Sequence, residues 1–343
     1  MQGNTPVAVE NNRFTMPAGD VTVSATFAMT WQSLQAGLTN AREDEENPTL
    51  ITLDQDCIAA ATDTALTVPD GRYVTLDLNG HVLDRHRDAA KADGSVIIVE
   101  CGGNLTVQDG DPTATHATPV TYTDPVTNET VTVTGGVITG GNENGSYGGG
   151  VSVRSGGTFT LSGGSVTGNT ASNKGGGVYN SGTFTLYGAP AISGNTTGSA
   201  ANNVYLSNTG NTITITGNLT NATPIGVTMQ TIGAFTSGLS GRGTAANFTN
   251  DSDAYRVRQN SESGEAELFT PTFHAVNTGD IIGGTVTGSR ATAAEGDTVT
   301  LTVAPGTGYV GLSSLTYTPE NGEARAITPD ASAPMPSLCP TLT

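Results

Sequence analysis

Short runs of alternating apolar and polar residues fill most of the chain between residue 50 and about residue 268. Residues 74–78 read Val-Thr-Leu-Asp-Leu, and residues 158–161 read Thr-Phe-Thr-Leu. Strict alternation of this kind is typical of a β-strand with one buried face. Turns rich in glycine and asparagine separate the runs. The pattern therefore predicts many short strands and no long helix in this region.

The runs recur at a nearly constant interval. Gly-Gly-Gly-Val at residues 148–151 returns at residues 175–178, and Asn-Asn-Val ends at Val204. Thr-Phe-Thr-Leu returns at residues 183–186, and Thr-Ile-Thr-Ile follows at residues 212–215. The interval is near 26 residues and holds three strand-like pieces. A repeat of roughly 20–50 residues is the signature of a solenoid.

Three short strands joined by tight turns at this period predict an all-β fold, namely a right-handed parallel β-helix with three strands per coil. Coils of such a solenoid lie about 4.8 Å apart, so equivalent residues superimpose in inward-facing columns. Asn169 and Asn195 are also one period apart and are predicted to form a side-chain amide ladder that satisfies buried turn backbone. The predicted apolar columns are Val151, Val178 and Val204; Phe159, Phe184 and Ile213; Leu161, Leu186 and Ile215; and Ile138, Val166 and Ile192.

The two ends of the array carry different patterns. Residues 29–42 place Trp31, Leu34 and Leu38 on one face of a short helix, and Thr30 is a suitable N-cap. We expect this helix to cap the first coil, because a terminal coil otherwise exposes apolar surface and unpaired backbone. At the other end, residues 254–258 and 266–269 predict a closing hairpin.

Smaller β modules are expected on both sides of the β-helix. Residues 1–28 end in an alternating strand, and residues 271–343 hold Gly-Gly-Thr-Val-Thr-Gly and Gly-Asp-Thr-Val-Thr-Leu phrases before a Pro/Ser-rich tail. Both stretches resemble internalin B-repeat-type modules, the first lacking its front and the second incomplete, with a disordered or truncated tail. The expected organisation is a module end at 1–28, a β-helix at 29–270 and a module start at 271–343.

The central region resembles the β-helix domains of large cell-surface proteins of gut-type Gram-positive bacteria. The resemblance rests on Val-Pro-Asp-Gly at residues 68–71, Leu-Asp-Leu-Asn-Gly at residues 76–80 and the Gly-Gly-Gly-Val coils. It implies a secreted or cell-wall-attached protein, a monomer within a longer multidomain chain. The fold hosts lyases, hydrolases and adhesins alike, so it does not choose among them.

Composition narrows the function classes. The formal net charge is -18, with 13 Lys and Arg against 31 Asp and Glu, and only two lysines. Nucleic-acid binding is disfavoured because no basic cluster exists. No run of apolar residues is long enough for a membrane-spanning helix. Three cysteines, Cys57, Cys101 and Cys339, form no metal-binding or disulfide pattern, and Cys57 and Cys101 are interpreted as buried free thiols rather than as a pair.

Candidate chemistry is sparse. Asp84 and His86 lie in the one dense charged patch that contains a histidine, which is interpreted as a hydrated loop with internal ion pairs or as an anion or sugar-acid contact. A surface calcium ion at Asp109, Asp111 and residues 142–144 is less expected than plain turns, and no cofactor is predicted. Four tyrosines lie near the predicted turns, Tyr147, Tyr179, Tyr187 and Tyr205. Tyr179 and Tyr205 are one period apart and are predicted to stack on one edge, either as a contact for a carbohydrate or protein or as packing.

Two functions follow from these features. The leading hypothesis is a non-enzymatic adhesin or stalk that binds a glycan or a host or matrix protein. The alternative is a carbohydrate-active enzyme, a polysaccharide lyase or glycoside hydrolase, with a groove along the β-helix. A hydrolase needs two carboxylates in one cleft, and Asp77, Asp84, Asp109 and Asp111 are the candidates in the sequence.

Overall fold

A computed structural model describes residues 28–123, 129–145, 147–208, 210–279, 281–295, 297–309, 312–320 and 322–327, together with residues 13, 15, 16 and 19. The predicted strand within residues 1–28 and the predicted tail at residues 328–343 lie outside these described residues. The described chain divides into two compact units, Met1–Phe269 and Thr270–Thr343. The first unit is a parallel β-solenoid of about seven turns, as the repeat predicts.

Four sheets run along the solenoid, and we name them by the order in which a coil visits them. Sheet A contains Thr49–Thr52, Tyr73–Asp77, Asn104–Gln108, Thr158–Leu161, Thr183–Gly188, Ile213–Leu219 and Thr236–Ser237. Sheet B contains Cys57–Ile58, Val82–Asp84, Val137–Thr139, Ser165–Thr167 and Ala191–Ser193. Sheet C contains Asn142–Glu143, Thr170–Ala171, Thr196–Thr197 and Ala200–Ala201. Sheet D contains Leu66–Val68, Ile97–Val99, Val151–Val153, Val178–Asn180, Val204–Leu206, Ile225–Met229 and Phe248–Asn250.

The predicted columns form in the predicted register. Val151 pairs with Val178 and Val178 with Val204 along sheet D. On sheet A, the columns run through Phe159, Phe184 and Ile213 and through Leu161, Leu186 and Ile215, and on sheet B through Ile138, Val166 and Ile192. These side chains are buried, and they form one continuous apolar cluster. The spacing of the repeat therefore gave the register directly, because parallel coils place equivalent residues side by side.

The coil has one side more than the sequence suggests. Sheet C is a short fourth side, with two-residue strands that lie between sheets B and D in three coils. Its last pairing, between Thr196–Thr197 and Ala200–Ala201, is antiparallel. The two-residue strands are too short to show an alternating pattern, so only the folded chain reveals them.

The N-terminal end is closed by a helix, Trp31–Thr39, whose buried residues are Trp31, Leu34 and Leu38. Thr30 caps it, with Ser33 completing a reciprocal capping box. The Gln35 side chain accepts from the backbone N–H of Thr67 at 2.7 Å and donates to the Thr67 carbonyl at 3.0 Å. One amide side chain thereby replaces the strand that the first coil of sheet D lacks, which explains how the helix caps the array.

The C-terminal end of the solenoid is closed by an antiparallel hairpin of Arg256–Gln259 and Ala266–Phe269, as predicted. Ala266 and Leu268 are buried against the last coil. Glu265 accepts hydrogen bonds from Thr236 Oγ1 at 2.7 Å and from the backbone N–H of Gly238 at 2.9 Å. A 3-10 turn, Ala245–Asn247, precedes the last strand of sheet D. Both ends of the apolar interior are therefore covered.

A second hairpin is inserted between sheets A and B of the third coil. It pairs Val120–Thr123 with Thr130–Val133. The hydroxyl of Tyr122 is hydrogen-bonded to Ser193 Oγ at 2.8 Å, and a Cβ on Gly194 would run into the Tyr122 ring. The hairpin therefore lies against the outer face of sheet B.

Among its described residues, the second unit contains three small antiparallel sheets. Phe273–Ala275 pairs with Thr292–Ala294, Gly284–Gly288 with Leu301–Pro305, and Thr316–Tyr317 with Arg325–Ala326. These strands are short and mostly exposed.

The cysteine interpretation is half right. Cys57 is a buried free thiol, and burial raises its pKa to about 11, which keeps it protonated and unreactive at neutral pH. Cys101 is also free, but it is exposed rather than buried, because it lies in the turn that leaves sheet D. No helix within the described residues has the length and apolar character of a membrane span.

Candidate functional site

Three tyrosine rings stack on the outer face of sheet D, and we call them the tyrosine ladder: Tyr147, Tyr179 and Tyr205. The ring centroids of Tyr179 and Tyr205 lie 5.8 Å apart with an interplanar angle of 3°. Tyr147 stacks on Tyr179 at 4.4 Å and 13°. The predicted stacking of Tyr179 on Tyr205 is thus present, and a third ring extends it by one step. Tyr147 is 41% exposed and Tyr205 only 4%, so the ladder is open at the Tyr147 end.

The register of sheet D places the ladder. Tyr179 pairs with Tyr205 and with Ser152, and the residues on either side of these three positions are buried: Val151, Val153, Val178, Asn180, Val204 and Leu206. Tyr147 lies before the sheet begins and is brought over Ser152 by a turn at Gly148, whose φ of 81° is left-handed. A Cβ at Gly148 would approach Ser152 Cα to 2.8 Å, so the close turn needs glycine.

Lys174 covers the buried end of the ladder. Its Nζ donates to the Tyr205 hydroxyl at 2.6 Å and lies 4.5 Å from the Tyr205 ring centroid. The hydrogen bond with Tyr205 raises the pKa of the Lys174 ammonium, so the group is charged at neutral pH. The site therefore combines stacked rings, phenol hydroxyls and one cation.

Asp84 and His86 lie on a different sheet from the ladder. Asp84 ends a strand of sheet B, and its Oδ1 accepts from the backbone N–H of His86 at 2.7 Å. The His86 Nδ1 lies 3.6 Å from Asp84 Oδ2, and the His86 side chain is exposed. The backbone of His86 has a left-handed φ of 50°. The two residues form a local turn, and their role in ligand binding stays a prediction.

The charged patch around His86 is not a hydrated surface loop throughout. Arg85, between the two predicted residues, is fully buried and lies 5.6 Å from the Trp31 ring. Its guanidinium donates to the carbonyls of Asp63, Asp93 and Ser95. Burial lowers the pKa of Arg85, with repulsion from Arg87 adding to the effect. This part of the interpretation is wrong: the strand alternation that turns Leu83 inward also turns Arg85 inward.

A groove of about 460 Å³ lies at the turns that follow sheet A in the first three coils. It is lined by three carboxylates, Asp54, Asp56 and Asp111, and by two imidazoles, His81 and His116. The Asp56 Oδ1 and His81 Nδ1 atoms lie 3.5 Å apart. The Nε2 atom of His116 is buried and has no hydrogen-bond partner within the described part of the chain. Acids and imidazoles in one cleft are groups capable of proton transfer.

The other candidate acids hold turns together. Asp77 accepts from the backbone N–H groups of Asn79 and Gly110, and Asp109 accepts from those of Gly80 and Gly136. Glu143, within the predicted calcium loop, is buried and accepts from the backbone N–H of Ser95. No group of three or more His, Cys, Asp or Glu side chains among the described residues is arranged to hold a metal ion.

Sequence reasoning placed Tyr147 near a turn but did not predict that it stacks on Tyr179, and it missed the cation and most of the groove. Tyr147 is not one period from Tyr179, and Lys174 lies in a turn where its side-chain direction is not encoded by alternation. The repeat offers one signal for Asp54 and Asp56. They lie in the first turn after sheet A, which is equivalent to the turn at residues 79–81, so the sequence could have placed the two turns side by side. His116 belongs to the inserted segment and had none.

Comparisons of the chain with protein-family models, with curated proteins and with solved structures found no match.

Proposed function

We propose that the protein is a non-enzymatic β-solenoid of the cell surface, secreted or attached to the cell wall, that binds glycans at the tyrosine ladder. Aromatic faces with adjacent hydroxyls are amphipathic, as are sugars, which have apolar C–H faces and polar hydroxyl rims. The observation that carries the proposal is the row of three stacked rings, with Tyr147 exposed at its end.

The rigidity of the ladder supports this proposal. Each of Tyr179 and Tyr205 is held by its strand and by the ring beside it, so little conformational entropy is lost when a ligand binds. A stalk with no binding role does not need an aromatic row on its outer face. The solenoid then serves as the spacer and the ladder as the contact.

The proposal is tested by binding of the full chain to a glycan panel that includes mucin and plant polysaccharides, with matrix proteins as a separate arm. We expect Tyr147→Ala to weaken glycan binding roughly three- to tenfold, which is the size of one aromatic stacking contact. Tyr187→Ala is the matched control, because Tyr187 is a similarly exposed tyrosine, 37% exposed, on sheet A. Equal effects of the two substitutions, or binding to matrix proteins alone, would contradict the ladder as a glycan site.

The groove supports a second candidate function, a carbohydrate-active enzyme. Glycoside hydrolysis needs two carboxylates, and three line this cleft, with His81 and His116 as additional proton carriers. Asp111 is the one sequence-predicted acid that lines this groove.

The enzyme candidate is tested by incubating the chain with acidic and neutral polysaccharides. New reducing ends indicate hydrolysis, and ultraviolet absorbance from an unsaturated sugar indicates a lyase. Under this candidate His116→Ala lowers the rate by about a hundredfold, and His274→Ala, in the second unit, leaves it unchanged. Absence of any product from all substrates removes the enzyme candidate and leaves the ladder proposal intact.

A further inference from the structure

Lys174 has a different kind of partner from three arginines that form close ion pairs. Arg72, Arg154 and Arg258 lie 2.6–2.9 Å from carboxylates of Glu43, Glu100 and Glu267, respectively. Lys174 has no carboxylate within ion-pair distance in the described part of the chain, and its Nζ donates to the Tyr205 hydroxyl instead.

The contact with Lys174 also fixes the direction of the Tyr205 proton. Because the ammonium donates to the phenol oxygen, the phenol proton is left to donate elsewhere. The ammonium has further N–H donors, and Tyr205 is only 4% exposed, so the partly exposed Lys174 is the donor available to a ligand at this end of the tyrosine ladder. Donors of this kind bind an anionic oxygen more strongly than a neutral hydroxyl.

We propose that the glycan bound at the tyrosine ladder is acidic, with a carboxylate or sulfate group that Lys174 binds while a sugar ring of the same glycan contacts the exposed ring of Tyr147. This inference rests on the proposed function and specifies the ligand class of the same site. The ring contacts supply affinity for sugars in general, and Lys174 supplies the preference for charge. Carboxylate and sulfate share the chemistry, and the test separates them.

Two matched pairs of polymers isolate the charge. Polygalacturonate is compared with its methyl ester, and dextran sulfate with dextran, by titration calorimetry on the full chain. We expect tighter binding to at least one acidic member than to its neutral counterpart, and weaker binding of that member at high salt. The pair that shows the difference identifies the anionic group.

Substitutions assign the preference to Lys174. Lys174→Met keeps the aliphatic chain over the Tyr205 ring, removes the charge and is expected to weaken binding of the acidic polymer about tenfold without changing that of the neutral one. Lys174→Arg is expected to restore the preference. Lys91→Met, which removes the other lysine from an exposed loop, is the control for a general effect of net charge.

The outcomes distinguish this inference from the proposal on which it rests. If acidic and neutral members bind equally, or Lys174→Met binds like the wild type, the inference is overturned. The glycan proposal then still stands provided that Tyr147→Ala weakens binding to any glycan of the panel. If the wild-type chain binds no glycan at all, both fail together.

Discussion

Two aromatic stacks in this molecule have nearly the same geometry and different surroundings. Phe159 and Phe184 stack inside the solenoid at 5.3 Å and 3°, and Tyr179 and Tyr205 stack on its outer face at 5.8 Å and 3°. Both pairs are one coil apart in parallel register. The phenylalanines are fully buried, whereas the tyrosine ladder opens to solvent at Tyr147. The coil spacing alone therefore produces the stack, and the face of the sheet decides whether it stabilises the core or is available to a ligand.

The largest loss of stability is expected from a substitution in the stack inside the solenoid. Phe184→Ala removes a fully buried ring and leaves a cavity between Phe159 and Ile213, with an expected loss of about 3–5 kcal/mol in the free energy of unfolding. Urea denaturation followed by circular dichroism measures this loss. A loss below about 1 kcal/mol would mean that the interior columns are not the source of stability.

The second effect concerns the interior amide ladder, which forms as predicted. Asn195 Oδ1 accepts from both the backbone N–H and the Nδ2 of Asn169, and all of these atoms are buried. Asn195→Ala leaves the buried backbone N–H of Asn169 without an acceptor, whereas the Asn169 Nδ2 keeps the carbonyls of Ile138 and Thr167, and we expect a loss of about 2–3 kcal/mol.

Asn208→Ala, at an exposed turn, is the control for the amide ladder and is expected to change stability by less than about 0.5 kcal/mol. If Asn195→Ala and Asn208→Ala have equal free energies of unfolding, water replaces the hydrogen bonds of the amide ladder, which contradicts a dry interior.

The third effect is a pH dependence at the end of that ladder. Asp251 accepts from the backbone N–H and the Nδ2 of Asn203, both at 2.8 Å, and burial raises its pKa to about 6. The folded chain then holds a proton that the unfolded chain, with a pKa near 3.8, releases first. The contribution of Asp251 to stability therefore falls as the pH rises from about 4 to about 6, by at most about 3 kcal/mol.

Asp251→Asn removes this titration and continues the amide pattern. We expect the difference in unfolding free energy between Asp251→Asn and the wild type to shift in favour of the variant between pH 4 and pH 6 and to level off above it. A difference that is flat across this range would show that Asp251 titrates normally in the folded chain.

The smallest effect on stability is expected from a substitution in the tyrosine ladder on the outer face of sheet D. Tyr179→Ala removes two ring contacts on the outer face, and we expect a loss of about 1 kcal/mol together with weaker glycan binding. Comparing the losses of unfolding free energy for Tyr179→Ala and Phe184→Ala shows whether the outer stack differs in function from the interior one. A loss as large as that of Phe184→Ala would make the tyrosine ladder a structural element rather than a binding surface.

Prediction from sequence succeeded where the repeat itself carries the information. Val151, Val178 and Val204 are placed by spacing alone, and so are Asn169 and Asn195, because every coil repeats the path of the one before. It failed where the chain leaves that path. Tyr147 and His116 lie in irregular segments, and their neighbours belong to other coils.

Asp251 and Arg85 show the same limit in the interior. Asp251 completes the amide ladder from 48 residues beyond Asn203, a separation that is not one period. Arg85 is charged, and charged residues are normally found on the surface. It is nevertheless packed beneath the Trp31 ring, and its guanidinium donates hydrogen bonds to backbone carbonyls. The two-residue alternation of the strand predicts from the sequence that Arg85 faces inward. The sequence does not show the backbone carbonyls that accept its hydrogen bonds and so compensate for its burial.

The sequence by itself determined the solenoid, its register, its caps and the pairing of Tyr179 with Tyr205, because a period near 26 residues and a two-residue alternation are local properties of the chain. Only the tertiary structure decided which polar groups converge. It added Tyr147 and Lys174 to the ladder, gathered three aspartates and two histidines into a groove, buried Arg85 and placed the half-buried Asp251 against Asn203. Convergence depends on turns and insertions whose paths are set by contacts between distant residues, and no repeat records those contacts.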